Sequence, residues 1–591
     1  MAEPCVSPSR RSRLARVMLF TLIALGGLYA GFQFRLWTFE TTTPIRWELD
    51  LQNAWQWGNY ADEHGLLSTY DLVRYEKHET GDYGLDYVPL RLTVAWYWVK
   101  TATWLEPGLE GWSPSLRVNA PLLAVHYLME LIATAGLFAI VFTWCRRLGG
   151  AKAKHALWWA LACAAVLYLN PASVINSFGR PGTDTWVLPF YTWAVWCAMT
   201  GRWWGAGMII GLGAMIKGQV MLGGPVFLLW ALFMGRPTQA LRWLAGVLFG
   251  GVVVLLPWLL TAWPFGAPRR VWTGAGLWLL PIALGCVAFG VLVSKRAAAM
   301  EETERADRRF PVYLIIAAGL LALIVAAALL RGGWGWAVGL ALATSGCLVW
   351  ARWGGAGQRV PALGLLFAQA ALSCMVLFGA GDAWFEVGPW YGAHKFSYRL
   401  EMGGAMCLAG IMQMRFRTGP DDVLFALPWL GGSFDVTAWR LLMGIFAALY
   451  VVACAAITRQ FRRGGPHFLI AICTPWLVWF AFAAQIHERY LLFGAGLAAA
   501  TLAVHRGAFV LSLLLSTLSW LMTAWVMLQS RTRGDYLDGL GDTLHGLIRP
   551  LIPDAGWAVM LIALIFLWLS FTGASSHTSN RQDANDAEEA G

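Results

Sequence analysis

Apolar runs of about 20 residues recur along almost the whole chain, and they constrain its fold more than any other feature. A helix of that length just crosses the hydrocarbon core of a bilayer, where the helix itself must satisfy every backbone polar group. Only 13% of the residues are charged, against about 25% in a typical soluble domain. We therefore predict an all-α polytopic membrane protein, a bundle of about 14–16 transmembrane helices.

The distribution of charge divides the chain into three segments. Residues 1–16 contain four arginines and predict a basic cytoplasmic N-terminus. Residues 17–573 hold the apolar runs and predict one transmembrane domain. Residues 574–591 are small, polar and acidic, and predict a disordered cytoplasmic tail.

Lysine and arginine predict the orientation of the helices in the bilayer. They concentrate in short segments such as 145–155, 295–311 and 458–466, which the positive-inside rule places in the cytoplasm. The loop 38–120, with twelve acidic and six basic residues, then lies outside. We predict the plasma (inner) membrane as the location, with this loop facing the periplasm or its equivalent. Because the basic loops account for the net charge of +10, no nucleic-acid partner is implied.

The outer loop begins with candidate catalytic carboxylates. Leu51, Trp55 and Ala61 follow a helical spacing, which predicts an amphipathic helix on the membrane surface with Asp50 as its N-cap. Asp50 then has one of two roles. It only caps the helix, or it forms with Glu48 a pair that acts as a general base or holds a divalent cation.

The same loop ends in a turn that could orient a polyol substrate. Pro89 restricts the preceding residue to an extended conformation. Asp86, Tyr87 and Arg91 surround this turn with an acid, an aromatic ring and a base. The alternative is an ordinary corner where the chain returns to the membrane.

Three charged residues lie between later apolar runs, in segments that the predicted topology places outside. Arg180 and Asp184 flank a short turn rich in Gly and Pro, and Lys217 stands alone between two apolar segments. Charges at membrane depth are costly and indicate a functional site. The alternative for Lys217 is a side chain that extends from a helix end to the membrane surface.

His487, Glu488 and Arg489 interrupt the apolar stretch 468–504 and are the sharpest signal in the chain. His487 and Arg489 can donate to a phosphate, and arginine does so with two parallel hydrogen bonds. Glu488 can hold Arg489 in place. The alternative is a polar loop between two helices, although such loops more often use Gly, Asn or Ser.

Several catalytic motifs are absent from the sequence. It contains no G-x-x-x-x-G-K-[ST] phosphate-binding loop, no G-x-S-x-G, no H-E-x-x-H and no C-x-x-C. Hydrolysis of nucleotides within this chain is therefore not expected.

In their order along the chain, the charged motifs resemble those of the GT-C superfamily of polyprenyl-phosphate-sugar-dependent glycosyltransferases. The branch most similar to this chain contains the dolichyl-linked-oligosaccharide glucosyltransferases and their bacterial mannosyltransferase-like relatives. The resemblance covers about residues 15–505 and rests on four motifs: Gly84-Leu85-Asp86-Tyr87-Val88-Pro89-Leu90, Arg180 to Asp184, Lys217-Gly218-Gln219 and His487-Glu488-Arg489-Tyr490.

This resemblance implies a GT-C-like helical bundle with a helical first outer loop and an active site that faces outside. It implies a polyprenyl-phosphate-linked sugar as donor, a lipid-linked or surface glycan as acceptor, and transfer with inversion. An acidic residue of the first loop would deprotonate the acceptor hydroxyl. We predict Asp50 for this role, with Glu48 and Glu40 as substitutes.

The carrier phosphate is the leaving group, so cations must stabilise its growing charge. Lys217, His487 and Arg489 are predicted to converge on this phosphate, with Arg180 or Arg91 nearby. The remaining predicted substrate-binding residues are Asp86, Tyr87, Asp184 and Glu488.

Two other classes of function stay open at this stage. A polytopic transporter would also bury charged residues between its helices, and a lipid- or polysaccharide-handling protein would share the same lipid contacts. No cofactor is required by the sequence, and a divalent cation bound by Glu48 and Asp50 stays open as well.

Overall fold

The computed structural model describes residues 10–43, 49–67, 69, 88–261, 399–429, 432–528 and 540–572. Helix accounts for 80% of the described residues, in agreement with a helical membrane protein. The predicted tail 574–591 and the apolar runs between residues 262 and 398 lie outside the described residues.

The described α-helices are α1 (Arg10–Thr42), α2 (Leu49–His64), α3 (Pro89–Leu105), α4 (Leu116–Leu148), α5 (Gly150–Lys154), α6 (Ala156–Tyr168), α7 (Pro171–Val174), α8 (Val187–Met199), α9 (Trp203–Ala214), α10 (Gly224–Phe233), α11 (Pro237–Thr261), α12 (Leu408–Gly410), α13 (Ala438–Arg463), α14 (Phe468–Ala471), α15 (Thr474–Phe482), α16 (Leu491–Leu497), α17 (Arg506–Leu528), α18 (Leu540–Ile548) and α19 (Gly556–Thr572). Two π-helical turns are Ile175–Gly179 and Ile411–Arg415. The 3₁₀ turns are Thr183–Trp186, Gly218–Gly223, Glu488–Tyr490, Ala498–Ala503 and Arg549–Leu551.

Three to five of these helical segments are long and apolar enough to cross a membrane. Helices α4, α13 and α17 each qualify alone. Two bent pairs also qualify: Ala156–Tyr168 with Pro171–Gly179 at 43°, and His545–Leu551 with Gly556–Thr572 at 57°. Helix α9 has 12 residues and measures about 18 Å at 1.5 Å per residue, which is shorter than the bilayer core.

The described chain also contains four short strands, which the sequence analysis did not predict. Strand β1 (Glu401–Met402) pairs in parallel with β4 (Ile486–His487), and β2 (Val423–Trp429) forms an antiparallel hairpin with β3 (Gly432–Thr437). The β1–β4 pair joins two distant parts of the chain at a buried position and fixes the backbone before Glu488.

Helices α9 and α11 pack with their backbones in contact because glycines line both surfaces. A Cβ atom built on Gly207 would lie 1.9 Å from the carbonyl oxygen of Trp243, and one on Gly250 would lie 2.3 Å from that of Met208. Small residues four positions apart allow such close approach between apolar helices. This contact fixes α9, whose C-terminal end leads directly to Lys217.

The helix predicted in the first outer loop is present as α2, but it begins at Leu49, so Asp50 lies in the first turn and is not the N-cap. Leu51 and Trp55 are buried, and the Trp55 ring meets the edge of the Trp98 ring of α3 at 5.2 Å. Trp98 in turn donates to the carbonyl of Val118 in α4. This packing seats α2 on the end of the bundle.

The other end of α4 lies beside α13. Trp144 donates to the carbonyl of Gly465 at 3.1 Å, and Arg147 donates to the carbonyl of Phe461 at 3.3 Å. Two of the basic segments predicted to face the cytoplasm therefore meet at one end of the bundle. Helix α4 has 33 residues, so this end lies about 50 Å from its start beside α3.

We expect Gly250→Ala to destabilise the protein because its methyl group would overlap the backbone of α9. Overpacking of this kind costs about 1–3 kcal/mol, which should lower the melting temperature of the purified protein. The neighbouring Gly251 is the control because nothing lies within 4 Å of its Cβ position. Gly251→Ala should be neutral or slightly stabilising, and equal losses in both variants would contradict the close helix contact.

Candidate functional site

Charged side chains from four distant parts of the chain meet at the α2 end of the bundle. The contributing residues are Asp50 in α2, Arg180 and Asp184 before α8, Lys217 after α9, and His487, Glu488 and Arg489 between α15 and α16. We call these seven residues the charge cluster. Six ion pairs connect them in one continuous chain, in the order His487, Glu488, Arg180, Asp50, Arg489, Asp184 and Lys217.

Asp184 is the buried centre of one half of the charge cluster. Its side chain is 2% exposed, and it pairs with Lys217 through one oxygen and with Arg489 Nε, at 2.9 Å, through the other. Burial alone would raise the pKa of Asp184. The charges of Arg489 and Lys217 outweigh burial and hold the pKa below its usual value, so Asp184 is ionised.

Glu488 is the centre of the other half. Its carboxylate, 1% exposed, lies 2.6 Å from Arg180 Nη1 and 2.6 Å from His487 Nδ1. Burial would raise the pKa of Glu488, but His487 and Arg180 lower it below the usual value. We predicted that Glu488 would hold Arg489, but Asp184 and Asp50 make the described ion pairs with Arg489.

Asp50 differs from these two carboxylates because 37% of its side chain is exposed. Its Oδ2 lies 3.3 Å from Arg489 Nη1 and 3.8 Å from Arg180 Nη2. Burial acts to raise the pKa of Asp50, and the charges of Arg489, Arg180 and Arg91 lower it further than burial raises it. Asp50 is therefore an ionised carboxylate that an incoming molecule can reach.

Lys217 carries its charge in a buried position, with 7% of its side chain exposed. Burial lowers its pKa, Asp184 partly offsets that effect, and the nearby Arg489 and Arg91 lower the pKa again, to about 8. Two residues later, Gln219 donates to the hydroxyl of Tyr490 at 2.9 Å. This bond ties the Lys217 segment to the segment that contains Arg489.

A small cavity of about 30 Å³ lies beside Asp50 and is lined by Arg91, His126 and Thr183, among others. Its volume is sufficient for one or two water molecules. Trp186 donates to Nδ1 of His126 at 2.9 Å, so the Nε2 atom of His126 carries the proton when the ring is neutral. The Thr183 hydroxyl is buried and has no hydrogen-bond partner among the described residues.

Not every predicted site residue belongs to the charge cluster. Glu40 is exposed near the end of α1 and makes no ion pair within the described chain. Arg91 lies in α3 and lines the cavity beside Asp50. Glu48, Asp86 and Tyr87 lie outside the described residues.

The sequence did not identify His126 and Glu401, which also approach the site. His126 lies in the long apolar helix α4, where ionisable residues that interrupt an apolar run, such as His126 and Glu130, were the available signal. Glu401 follows the long undescribed segment, and burial raises its pKa to about 6. Its carboxylate accepts from the backbone N–H of Ala405 at 2.8 Å and helps to fix β1.

The described residues contain no group of three or more His, Cys, Asp and Glu side chains that could hold a metal ion. Neither a known family model nor a curated protein matches this chain.

We expect Glu488→Gln to destabilise the protein strongly because Arg180 would lose its buried charge partner. Breaking one side of a buried ion pair costs about 3–5 kcal/mol. Thermal or denaturant unfolding of the purified protein would measure the loss. Glu63→Gln is the matched control because Glu63 is 59% exposed, and surface changes cost about 0.5 kcal/mol or less. Similar stability of the two variants would show that the pair with Arg180 is unimportant.

Proposed function

We propose that this chain is an integral membrane glycosyltransferase that moves a sugar from a polyprenyl-phosphate donor to an acceptor at the outer face of the plasma (inner) membrane. The observation that carries the proposal is the combination of one accessible carboxylate, Asp50, with Arg489 and Arg180 in contact with it. Transfer from a lipid phosphate needs these two chemistries side by side, a base for the acceptor and cations for the leaving phosphate.

Asp50 is the candidate base. Of the three carboxylates in the charge cluster, Asp184 and Glu488 are buried in ion pairs, whereas Asp50 is 37% exposed. A carboxylate with a lowered pKa is a weak base while both arginines face it. A donor phosphate that attracts Arg489 and Arg180 would draw charge away from Asp50 and raise its pKa. The base would then become effective when the donor is bound.

Lys217, Arg180 and Arg489 are the candidate ligands of the donor phosphate, with His487 beside them. Counting Arg91, and with Lys217 protonated, four cationic side chains face three carboxylates, so one positive charge is in excess when His487 is neutral. The phosphodiester of a polyprenyl-phosphate sugar carries one negative charge. The match in charge favours a ligand with a single phosphate over a pyrophosphate, which brings more negative charge than the cluster offsets.

The proposed reaction forms one bond and breaks one. The acceptor oxygen attacks the anomeric carbon while its proton passes to a carboxylate oxygen of Asp50. The bond between the anomeric carbon and the phosphate oxygen breaks from the opposite side, which inverts the sugar. The carrier phosphate leaves with one more negative charge, and the arginines and Lys217 stabilise that charge.

We expect Asp50→Asn to reduce glycosyl transfer by about 10²- to 10⁴-fold, the usual effect of losing a general base. The measurement is mass spectrometry of lipid-linked and surface glycans in a deletion strain complemented with each variant. Asp50→Asn should leave the acceptor one sugar short, as the deletion does. Asp62→Asn is the control because Asp62 is an exposed acid of the same helix.

The same experiment separates the competing assignments. Activity lost in Glu40→Gln and retained in Asp50→Asn would move the base to Glu40. Glycans unchanged by the deletion itself would contradict glycosyl transfer and favour transport or lipid handling.

We expect kcat/KM for the lipid-linked donor to fall as pH rises through about 8, where Lys217 loses its proton. A lysine is charged below its pKa, so its attraction for phosphate is complete below that pH and lost above it. Lys217→Arg should abolish this fall in kcat/KM at alkaline pH because arginine stays protonated. An identical pH profile in both proteins would remove Lys217 from the donor site.

A further inference from the structure

A groove of about 380 Å³ lies between α2 and the chain that follows α3. Its volume falls within the range of about 300–1,000 Å³ that is typical of ligand sites. Four polar residues of α2 line one wall, and Glu110 and Trp112 lie on the other.

The polar wall is one continuous stripe of α2. Gln52, Gln56, Asn59 and Glu63 are spaced by four, three and four residues, which places them on one face of the helix. The buried residues Trp57 and Ala61 lie on a different face, against Leu92 of α3, whereas the buried Trp55 borders the groove. The stripe is therefore not required for packing the helix onto the bundle.

Hydrogen bonds orient three of the side chains that line the groove, Asn59, Glu63 and Trp112. Asn59 donates to Glu63 at 2.6 Å, which fixes that carboxylate. Trp112 donates through its indole N–H to Asn119 at 3.3 Å, which fixes the indole ring at the wall. The groove thus presents fixed polar groups next to an aromatic ring.

The chemistry of the wall suits a neutral sugar chain. Amides can both donate to and accept from hydroxyl groups, and carboxylates can accept from them. An indole ring can pack against the C–H face of a pyranose. The lining includes Glu63 and Glu110 but no lysine or arginine among the described residues. An anionic ligand would meet only negative charge here, in contrast to the phosphate proposed for the charge cluster.

The groove begins in the same helical turn as the candidate base. Gln52 follows Asp50 by two residues, so the two side chains lie on opposite faces of the first turn of α2, and the stripe continues for about 16 Å to Glu63. We propose that the groove binds a neutral oligosaccharide, the distal part of the acceptor glycan, whose reacting end would pass around the first turn of α2 to reach Asp50. This inference rests on the proposed function for the role as acceptor, whereas binding can be tested without any transfer.

The test is binding of the full-length protein, labelled and reconstituted in lipid nanodiscs, to an array of neutral and anionic oligosaccharides. We expect the wild type to bind neutral oligosaccharides and not anionic ones. The double variant Gln56→Ala with Asn59→Ala should need about tenfold more protein for half-maximal signal, since two sets of hydrogen bonds are lost. Asp62→Asn is the control because it lies outside the groove lining and keeps an oxygen that can accept from Trp96.

Each outcome decides the inference. Neutral binding that is weakened in the double variant and kept in Asp62→Asn supports the groove. Binding that is absent, restricted to anionic glycans, or equal in all three proteins overturns it. If binding depends on the groove residues but deletion of the protein changes no glycan, the result contradicts the proposed transfer and leaves the groove inference standing. If transfer depends on Asp50 but not on the groove residues, the result overturns the groove inference and leaves the proposed transfer standing.

Discussion

Asp184 lies almost fully buried between Lys217 and Arg489, and the arrangement of the site depends on this contact. A charge removed from water is stable only beside an opposite charge that satisfies it. Lys217 follows α9, and Arg489 lies in a 3₁₀ turn more than 250 residues later. Their shared carboxylate therefore holds two distant parts of the chain in one position. Without Asp184, Arg489 would keep its pair with Asp50, but Lys217 would lose its ion-pair partner in a buried position.

Glu488 acts in the same way on Arg180 and His487, so the two buried carboxylates fix the cations around Asp50. The three carboxylates of the charge cluster therefore have different roles, although they are chemically alike. Asp184 and Glu488 are held by their ion pairs and are closed to solvent, whereas Asp50 contacts the same arginines and remains accessible. An entering phosphate would compete with Asp50 for the arginines. This competition couples the proposed donor site to the proposed base.

A second buried charge is also stabilised by an opposite charge. It lies on α4, away from the end of α4 that packs against α3. Arg35 of α1 is fully buried and pairs with Glu130 at 2.5 Å, and Ser173 and Ser177 also donate to Glu130. This network satisfies the carboxylate and fastens α1 to the bundle by charge as well as by apolar contact. It was not identified from the sequence, because Arg35 stands at the end of an apolar run, where a basic residue is ordinary.

The sequence by itself predicted a helical chain with segments long and apolar enough to cross a membrane, because the backbone of long apolar runs can be satisfied in lipid by helices. It also marked Arg180, Asp184, Lys217 and Arg489, because charges that interrupt such runs are costly and rare. The partners of these charges were decided by the tertiary structure. Glu488 lies next to Arg489 in sequence and yet pairs with Arg180, because the 3₁₀ turn after β4 directs neighbouring side chains to different sides. Sequence distance carries no information about such contacts, since they depend on how α4, α9 and α15 pack together.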